Sequence, residues 1–278
     1  MNFKLIIILF NGIAVLFLAL MALLPFAILG KELALMFWQN VWFFAPVLLL
    51  ILGGIDLYCI HNGRIFMLLE KEDWPALVLE LEDRVFRKER YTAHLVKLLA
   101  NSYLVLSDPG AVHALEKKLA TVKPALINAN VLVFGAARLL TGNAKSAVEF
   151  FTVRLPDAVQ SAGIPAAARD WLSFYCGFAL LVNRQFTPAA ERFSALARES
   201  GDCVTAALSA YFLDTSVKKF LPLNEYSQAA RDGKARITGM LKTRAAWNRE
   251  IKRIETEVHA AVLVHYLSKT ANYLYAAP

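Results

Sequence analysis

Residues 5–29 read LIIILFNGIAVLFLALMALLPFAIL, and residues 33–58 read LALMFWQNVWFFAPVLLLILGGIDLY. The first run has no charged side chain, and the second has only Asp56, near its end. A helix needs about 20 apolar residues to cross roughly 30 Å of hydrocarbon, and both runs are long enough. Since only Gly30-Lys31-Glu32 separate them, the sequence predicts a transmembrane helical hairpin over residues 1–60 that turns at those three residues.

Two observations refine the predicted hairpin. A secretory signal peptide has an apolar core of about 7–15 residues, and residues 5–29 are longer and lack a cleavage site, so an uncleaved helix is expected. Trp38 and Trp42 suit a membrane interface, so an alternative placement starts the second span near Val41, with residues 31–40 along the outer face. Asp56 is then either an acid near the inner boundary or an ion site.

Basic residues flank the two runs unequally. Lys4 precedes the first run, and Arg64, Lys71 and further cations follow the second, whereas only Lys31 stands between them. By the positive-inside rule both termini are expected to face the cytoplasm. The net charge of +7 lies in the rest of the chain, where it either attracts anionic membrane lipids or belongs to ordinary solvated surface.

The chain after residue 61 shows regularly spaced helix starts. Asp73, Asp108 and Asn143 each resemble an N-cap and stand at intervals of 35 residues, and Thr187-Pro188 begins a fourth helix. A breaker-rich loop is expected over residues 155–165, before the fourth start. The pattern predicts an all-α chain built from repeated helix pairs.

Two triplets carry a family resemblance, because they share the spacing small residue, Ala twelve positions later, and aromatic four beyond. They are Gly135, Ala147 and Phe151, and Gly177, Ala189 and Phe193. This spacing resembles the tetratricopeptide repeat, and the resemblance covers roughly residues 64–200. The unit that begins at Asp108 departs from it, with Glu116 where the aromatic belongs. The resemblance implies an α-α superhelical repeat domain over residues 61–222 and a helical cap over residues 223–278, with one long helix from Ala246 to Tyr275.

In tetratricopeptide proteins the first helix of each repeat lines a groove that receives a peptide or a helix. The resemblance puts the following candidates on that face: His94, Lys97, Asn101, Leu132, Leu139, Trp171, Phe174, Phe178 and Leu181. An apolar helix or strand of a partner protein would suit this surface. The alternative, left open by the sequence, is that the aromatic residues pack between repeats. Lys97 and Asn101 also match the start of a carboxylate clamp, but Val133 and Trp171 depart from it, so capture of a C-terminal carboxylate is not expected.

Signatures of catalysis are missing from the sequence. It has no phosphate-binding glycine loop, no His-Glu-x-x-His and no Gly-x-Ser-x-Gly elbow. The five histidines and three cysteines have no metal-ligand or redox-pair spacing, and no nucleic-acid-binding module is recognisable. The sequence therefore predicts a protein that is not an enzyme, with no cofactor, no metal and no nucleic-acid partner.

The layout of an N-terminal anchor and tetratricopeptide-like repeats resembles that of bacterial inner-membrane proteins, and this resemblance implies a location in the bacterial inner membrane. These expectations combine into a membrane-anchored scaffold or adaptor that recruits or organises a protein complex at the cytoplasmic face of the membrane. A second hypothesis is a structural subunit of a large envelope assembly such as a secretion or motility machine, whose spans pack against other subunits. A third is an accessory subunit of a transporter or membrane enzyme, in which Asp56 has a role.

Overall fold

A computed structural model describes residues 3–160, 166–222 and 224–275 of the chain. The structure is 87% helical and has no strand among these residues, so the all-α prediction is confirmed. The chain divides into two compact units, Met1–Leu81 and Glu82–Pro278.

The first unit consists of α1 (Phe3–Val41), α2 (Phe44–Glu70) and α3 (Trp74–Glu82). The windows Leu5–Ile28 and Pro46–Glu70 of α1 and α2 are long and apolar enough to cross a membrane. The turn predicted at Gly30-Lys31-Glu32 coincides with an interruption of α1, because Gly30 has a non-helical backbone, with a φ of 76° and a ψ of 171°, that glycine adopts without a steric penalty. A second helical stretch then runs to Val41, and α2 begins at Phe44, close to the alternative start of the second span near Val41. Helix α2 runs unbroken through the predicted domain boundary at residue 60.

Helices α1 and α2 pack along a narrow seam. Half-buried positions recur every three or four residues on each helix, which is the spacing of one helix face. On α1 they include Ile7, Asn11, Ala14, Leu18 and Met21, and on α2 Leu48, Leu52, Asp56 and Cys59. The Asn11 amide donates a hydrogen bond of 3.0 Å to the Asp56 carboxyl group across this seam. The two helices are therefore antiparallel.

The second unit begins with a π-helical turn at Asp83–Arg87. Its helices are α4 (Ala93–Val105), α5 (Pro109–Val122), α6 (Ala125–Ala129), α7 (Val131–Leu140), α8 (Ala144–Gln160), α9 (Ala166–Val182), α10 (Phe186–Glu199), α11 (Cys203–Thr215), α12 (Asn224–Met240), α13 (Arg244–Glu255) and α14 (Val264–Tyr275). Short 3₁₀ helices lie at Val217–Lys219 and Val258–Leu263. Consecutive helices from α4 to α12 pack on one another, most extensively from α8 to α12.

Three of the predicted helix starts are correct to the residue. Asp73, Asp108 and Asn143 each accept a hydrogen bond from the backbone N–H three residues later, at 2.9–3.2 Å. These bonds satisfy first-turn donors that have no partner within the helix. The fourth predicted start belongs to α10, which begins at Phe186, slightly before the predicted Thr187. Its N-cap Gln185 makes no side-chain capping bond.

The turn before each of these helices has the same backbone geometry. Glu72, Ser107, Gly142 and Arg184 all adopt a positive φ, between 54° and 73°. Each ends one helix and stands directly before the N-cap of the next, which is the left-handed residue that commonly terminates helices. The 35-residue spacing of the sequence is therefore a spacing of helical hairpins.

Glycine and aromatic residues meet where paired helices cross. A Cβ atom built on Gly135 of α7 would lie 2.4 Å from the ring of Phe151 in α8. One built on Gly177 of α9 would lie 2.9 Å from the ring of Phe193 in α10. A larger residue would clash with the ring at Gly135 and would force the ring to shift at Gly177, so the two triplets of the sequence have a direct steric explanation.

Two predictions about helix ends are wrong. Helix α8 continues through Pro156 to Gln160, where a loop was expected, and residues 161–165 lie outside the described residues. The long helix expected from Ala246 to Tyr275 is instead α13, a 3₁₀ segment and α14. The interruption lets the 3₁₀ segment lie against α4 and α7, which a straight helix would not do.

Candidate functional site

The predicted groove residues of α9 lie in the core of the second unit. Trp171, Phe174 and Phe178 are all buried. The Phe174 ring lies 5.7 Å from the ring of Phe193 and 6.0 Å from that of Phe212, measured between centroids. Of the two alternatives left open by the sequence, their burial favours packing between helices over an open groove wall.

The face that was predicted to be a groove is covered by the chain itself. Residues 257–266, here called the covering segment, lie on it. The Lys97 ammonium forms an ion pair of 3.0 Å with Glu257, at one end of the segment. The His259 ring lies edge-on to Trp171 at 5.3 Å. The Tyr266 ring packs on Phe178, with the ring centroids 5.8 Å apart. Three side chains of the predicted groove, one on α4 and two on α9, thus contact the covering segment.

A buried polar pair holds the middle of the covering segment. The Tyr175 hydroxyl lies 2.9 Å from Nδ1 of His259 and also donates to the His259 carbonyl at 3.0 Å. Burial lowers the pKa of His259 to about 4 and raises the pKa of Tyr175 well above its ordinary value. Both side chains are therefore neutral near pH 7, as groups removed from water should be.

The remaining predicted residues line the rim of this face. His94 is exposed, and Leu132 and Leu139 are half-buried. Asn101 is also half-buried, and its side-chain oxygen is enclosed without a hydrogen-bond partner. Leu181 is half-buried beside an opening that the covering segment leaves uncovered.

That opening is an apolar pocket with a volume of about 540 Å³. Leu181 and Phe178 on α9, Phe212 on α11 and Tyr266 form its inner walls. The rings of Phe186 and Phe220 stack at 4.1 Å at its outer edge. The full lining is Phe178, Leu181, Val182, Arg184, Phe186, Phe212, Ser216, Phe220 and Tyr266.

The rim of the pocket is both exposed and basic. Phe220 is 59% exposed, although an aromatic ring of this size gains stability when it is removed from water. Arg184 lines the pocket, and Lys218 and Lys219 precede Phe220 in the chain and are exposed. Asp214, which forms an ion pair with Lys218, offsets only one of these three cations, so the local charge remains positive. The pocket can therefore hold an apolar side chain whose neighbour is acidic.

A second polar cluster was missed by sequence reasoning. Glu116 of α5 is buried and lies 2.8 Å from Arg138 of α7 and 3.5 Å from Arg154 of α8. Both guanidinium groups also lie over the ring of Phe150, at 4.9 and 4.0 Å from its centroid. These charges link consecutive hairpins at the position where the repeat pattern has an aromatic residue. The departure of Glu116 from that pattern was the available signal.

The described part of the chain has no cluster of metal ligands, and its cysteines are not activated. No group of three or more His, Cys, Asp or Glu side chains there is arranged to hold a metal ion. The three cysteines are free thiols, and burial raises the pKa of Cys176, which disfavours the reactive thiolate.

Comparisons with known proteins give one family. A family model described as "Uncharacterised Treponema protein" matches residues 111–276. An uncharacterized protein of Treponema pallidum (strain Nichols) is 32% identical over 180 residues, which are 63% of this chain and 55% of the relative. The chain thus spans about half the length of this curated relative. No solved structure matches. The family match includes the covering segment and all residues that line the apolar pocket.

Proposed function

The chain belongs to the family of uncharacterised Treponema proteins, and from its architecture we propose that it is a membrane-anchored scaffold. In this proposal α1 and α2 anchor the chain as a hairpin in the bacterial inner membrane, with both termini in the cytoplasm. The second unit is a tetratricopeptide-like repeat domain that recruits or organises a partner protein there. The apolar pocket at the uncovered end of the inner face is the observation that carries the proposal.

The anchor is supported by the surface of the first unit. Large apolar side chains are exposed along both candidate spans, among them Leu16, Phe17, Leu50 and Ile51. Exposed apolar surface of this extent is unfavourable in water but favourable in hydrocarbon. Lys4 and Arg64 stand near the same end of the antiparallel pair, as the positive-inside rule requires when both termini are cytoplasmic.

The binding role is supported by what the second unit exposes. Its inner face is closed by the covering segment, and the apolar pocket remains open next to it. A pocket of this volume admits one or two large apolar side chains of a partner helix or strand. Arg184, Lys218 and Lys219 would attract acidic residues that flank those side chains. The partner segment is therefore expected to combine an aromatic or aliphatic anchor with acidic neighbours.

The test compares two single substitutions at exposed apolar positions of the second unit. Phe220→Glu places a negative charge at the pocket rim, and Met240→Glu places the same charge at the end of α12, outside the pocket. Phe220 and Met240 are 59% and 56% exposed, so both variants are expected to fold. The tagged full-length chain and both variants are purified from membranes of the native host under identical conditions.

A protein that co-purifies in fixed stoichiometry with the wild type and with Met240→Glu, and that is lost with Phe220→Glu, supports the proposal. The difference should exceed tenfold, since a buried aromatic anchor contributes about 2 kcal/mol or more to an interface. Identical recovery from all three chains would show that the pocket does not recruit a partner.

A further inference from the structure

We infer that the helical hairpin of α1 and α2 associates in the membrane with a second copy of itself, through a face centred on Asn11 and Asp56. This inference rests on the membrane anchor of the proposed function and adds an interface to it. It does not depend on the apolar pocket of the second unit.

The Asn11–Asp56 hydrogen bond places both residues well inside the apolar layer. Asn11 lies six residues after Leu5, where the first candidate span begins. At 1.5 Å per residue this is a depth of about 9 Å. Asp56, bonded to Asn11 at 3.0 Å, lies at the same level. Its side chain has a single methylene group, so from that level it does not reach the membrane surface.

The pair leaves hydrogen-bonding capacity unused. The Asn11 amide nitrogen donates to the Ile7 carbonyl at 3.1 Å and to Asp56 at 3.0 Å, which uses both of its hydrogens. Among the described residues, the Asn11 oxygen and the second carboxyl oxygen of Asp56 have no hydrogen-bond partner. Water satisfies such atoms at a protein surface, but hydrocarbon does not, so another protein group is needed.

Asn11 and Asp56 lie beside an exposed, apolar face. Residues three before and four after a helical position are its neighbours on one side of the helix. For Asn11 these are Ile8 and Val15, which are 69% and 64% exposed. For Asp56 they are Gly53 and Ile60. Ile60 is 77% exposed, and a Cβ atom on Gly53 would have nothing within 4 Å. Glycine at this point lets another helix approach closely.

A second copy supplies the missing partners by symmetry. In its neutral form the carboxyl group of Asp56 can donate one hydrogen bond, and the Asn11 oxygen can accept one. Around a two-fold axis, Asp56 of each copy donates to Asn11 of the other, so both unused atoms of both copies are satisfied at once. Such an interface is isologous and closes as a dimer. The two candidate spans contain no cation at this level that could serve instead.

The test measures self-association of the full-length chain in a bilayer. Donor and acceptor fluorophores are attached at the C-terminus, the chain is reconstituted in phosphatidylcholine vesicles, and energy transfer is recorded as the lipid-to-protein ratio rises. Asp56→Leu removes the polar partner, and Gly53→Leu fills the contact face. Gly54→Leu is the matched control, because Gly54 is equally open but lies about 100° further round the helix.

The wild type should dimerise, and Asp56→Leu and Gly53→Leu should each weaken dimerisation at least tenfold. Gly54→Leu should stay within threefold of the wild type, as should Asp56→Asn, since an amide both donates and accepts. Energy transfer at the level of random proximity in the wild type would overturn the inference, as would equal effects of Gly53→Leu and Gly54→Leu. Release of the chain by alkaline carbonate would refute the anchor itself, whereas a retained but monomeric chain refutes only the dimer.

Discussion

Substituting alanine for Gly135 should destabilise the second unit, although alanine is the better helix former. The new methyl group would lie 2.4 Å from two ring atoms of Phe151 and 3.4 Å from the ring of Phe150. The Phe151 ring is held between Phe150, edge-on at 5.5 Å, and Tyr175, stacked at 6.1 Å. Because all of these rings are buried, none can retreat into solvent.

The expected magnitude follows from two opposing contributions. Overpacking a dense core typically costs about 1–3 kcal/mol. Replacing glycine by alanine inside a helix contributes about 1 kcal/mol of stability. The net loss for Gly135→Ala is therefore between about 0 and 2 kcal/mol, and the contact of 2.4 Å puts it near the upper value. For Gly177→Ala, whose closest contact would be 2.9 Å, the two contributions nearly cancel. Gly239→Ala meets no atom within 4 Å and should stabilise by up to about 1 kcal/mol.

Thermal and urea unfolding of the detergent-solubilised chain, followed by tryptophan fluorescence, measures these differences. The predicted order of stability is Gly239→Ala, wild type or Gly177→Ala, then Gly135→Ala. Between the extremes the melting temperature should differ by about 4–10 °C for a unit of this size. Adding Phe151→Leu should cost less in the Gly135→Ala background than in the wild type, because the smaller side chain relieves the contact. A Gly135→Ala variant as stable as Gly239→Ala would refute the steric explanation of the repeat spacing.

Three further predictions use the same unfolding measurements. Because the pKa of His259 is about 4 in the fold against 6.5 for an ordinary histidine, the unfolded chain binds the proton first. Stability should therefore fall by about 3 kcal/mol as pH drops from 6.5 to 4, and His259→Gln should remove this part of the pH dependence. Glu116→Gln should cost about 3 kcal/mol, because it leaves two partly buried guanidinium groups without a carboxylate, whereas Asp214→Asn, at the exposed pair with Lys218, should change stability by less than about 0.5 kcal/mol. Asp108→Ala should cost about 1 kcal/mol through the lost helix cap, and an unchanged value would show that water replaces the cap without cost.

Local features of the fold could be predicted from the sequence. The caps at Asp73, Asp108 and Asn143 involve a side chain and a backbone group three residues away, so neighbouring residues determine them. The glycine–aromatic crossings were predictable for a similar reason, since both residues of each crossing belong to one hairpin. The interruption at Gly30 was also predictable, whereas the sequence left open whether residues 31–40 belong to the second span, which in the structure begins at Phe44.

The candidate site was only partly predictable, because its contacts join distant parts of the chain. Lys97 and Glu257 are 160 residues apart, and no periodic pattern relates them. The aromatic residues of α9 were correctly assigned to one helix face, but their burial depends on His259 and Tyr266, which the sequence placed in a continuous helix. Periodicity shows which side of a helix is apolar and does not show which segment covers it.

The order in which the chain is synthesised gives the covering segment a kinetic consequence. Ribosomes add about 5–20 residues per second, so roughly 8–32 s pass between the synthesis of Lys97 and that of Glu257, its partner 160 residues later. During that interval the rings of Trp171 and Phe178 are synthesised before the covering segment that will bury them. The nascent second unit therefore completes its core only when translation is almost finished. Until then its exposed apolar surface makes it prone to aggregation and a substrate for chaperones that bind such surfaces.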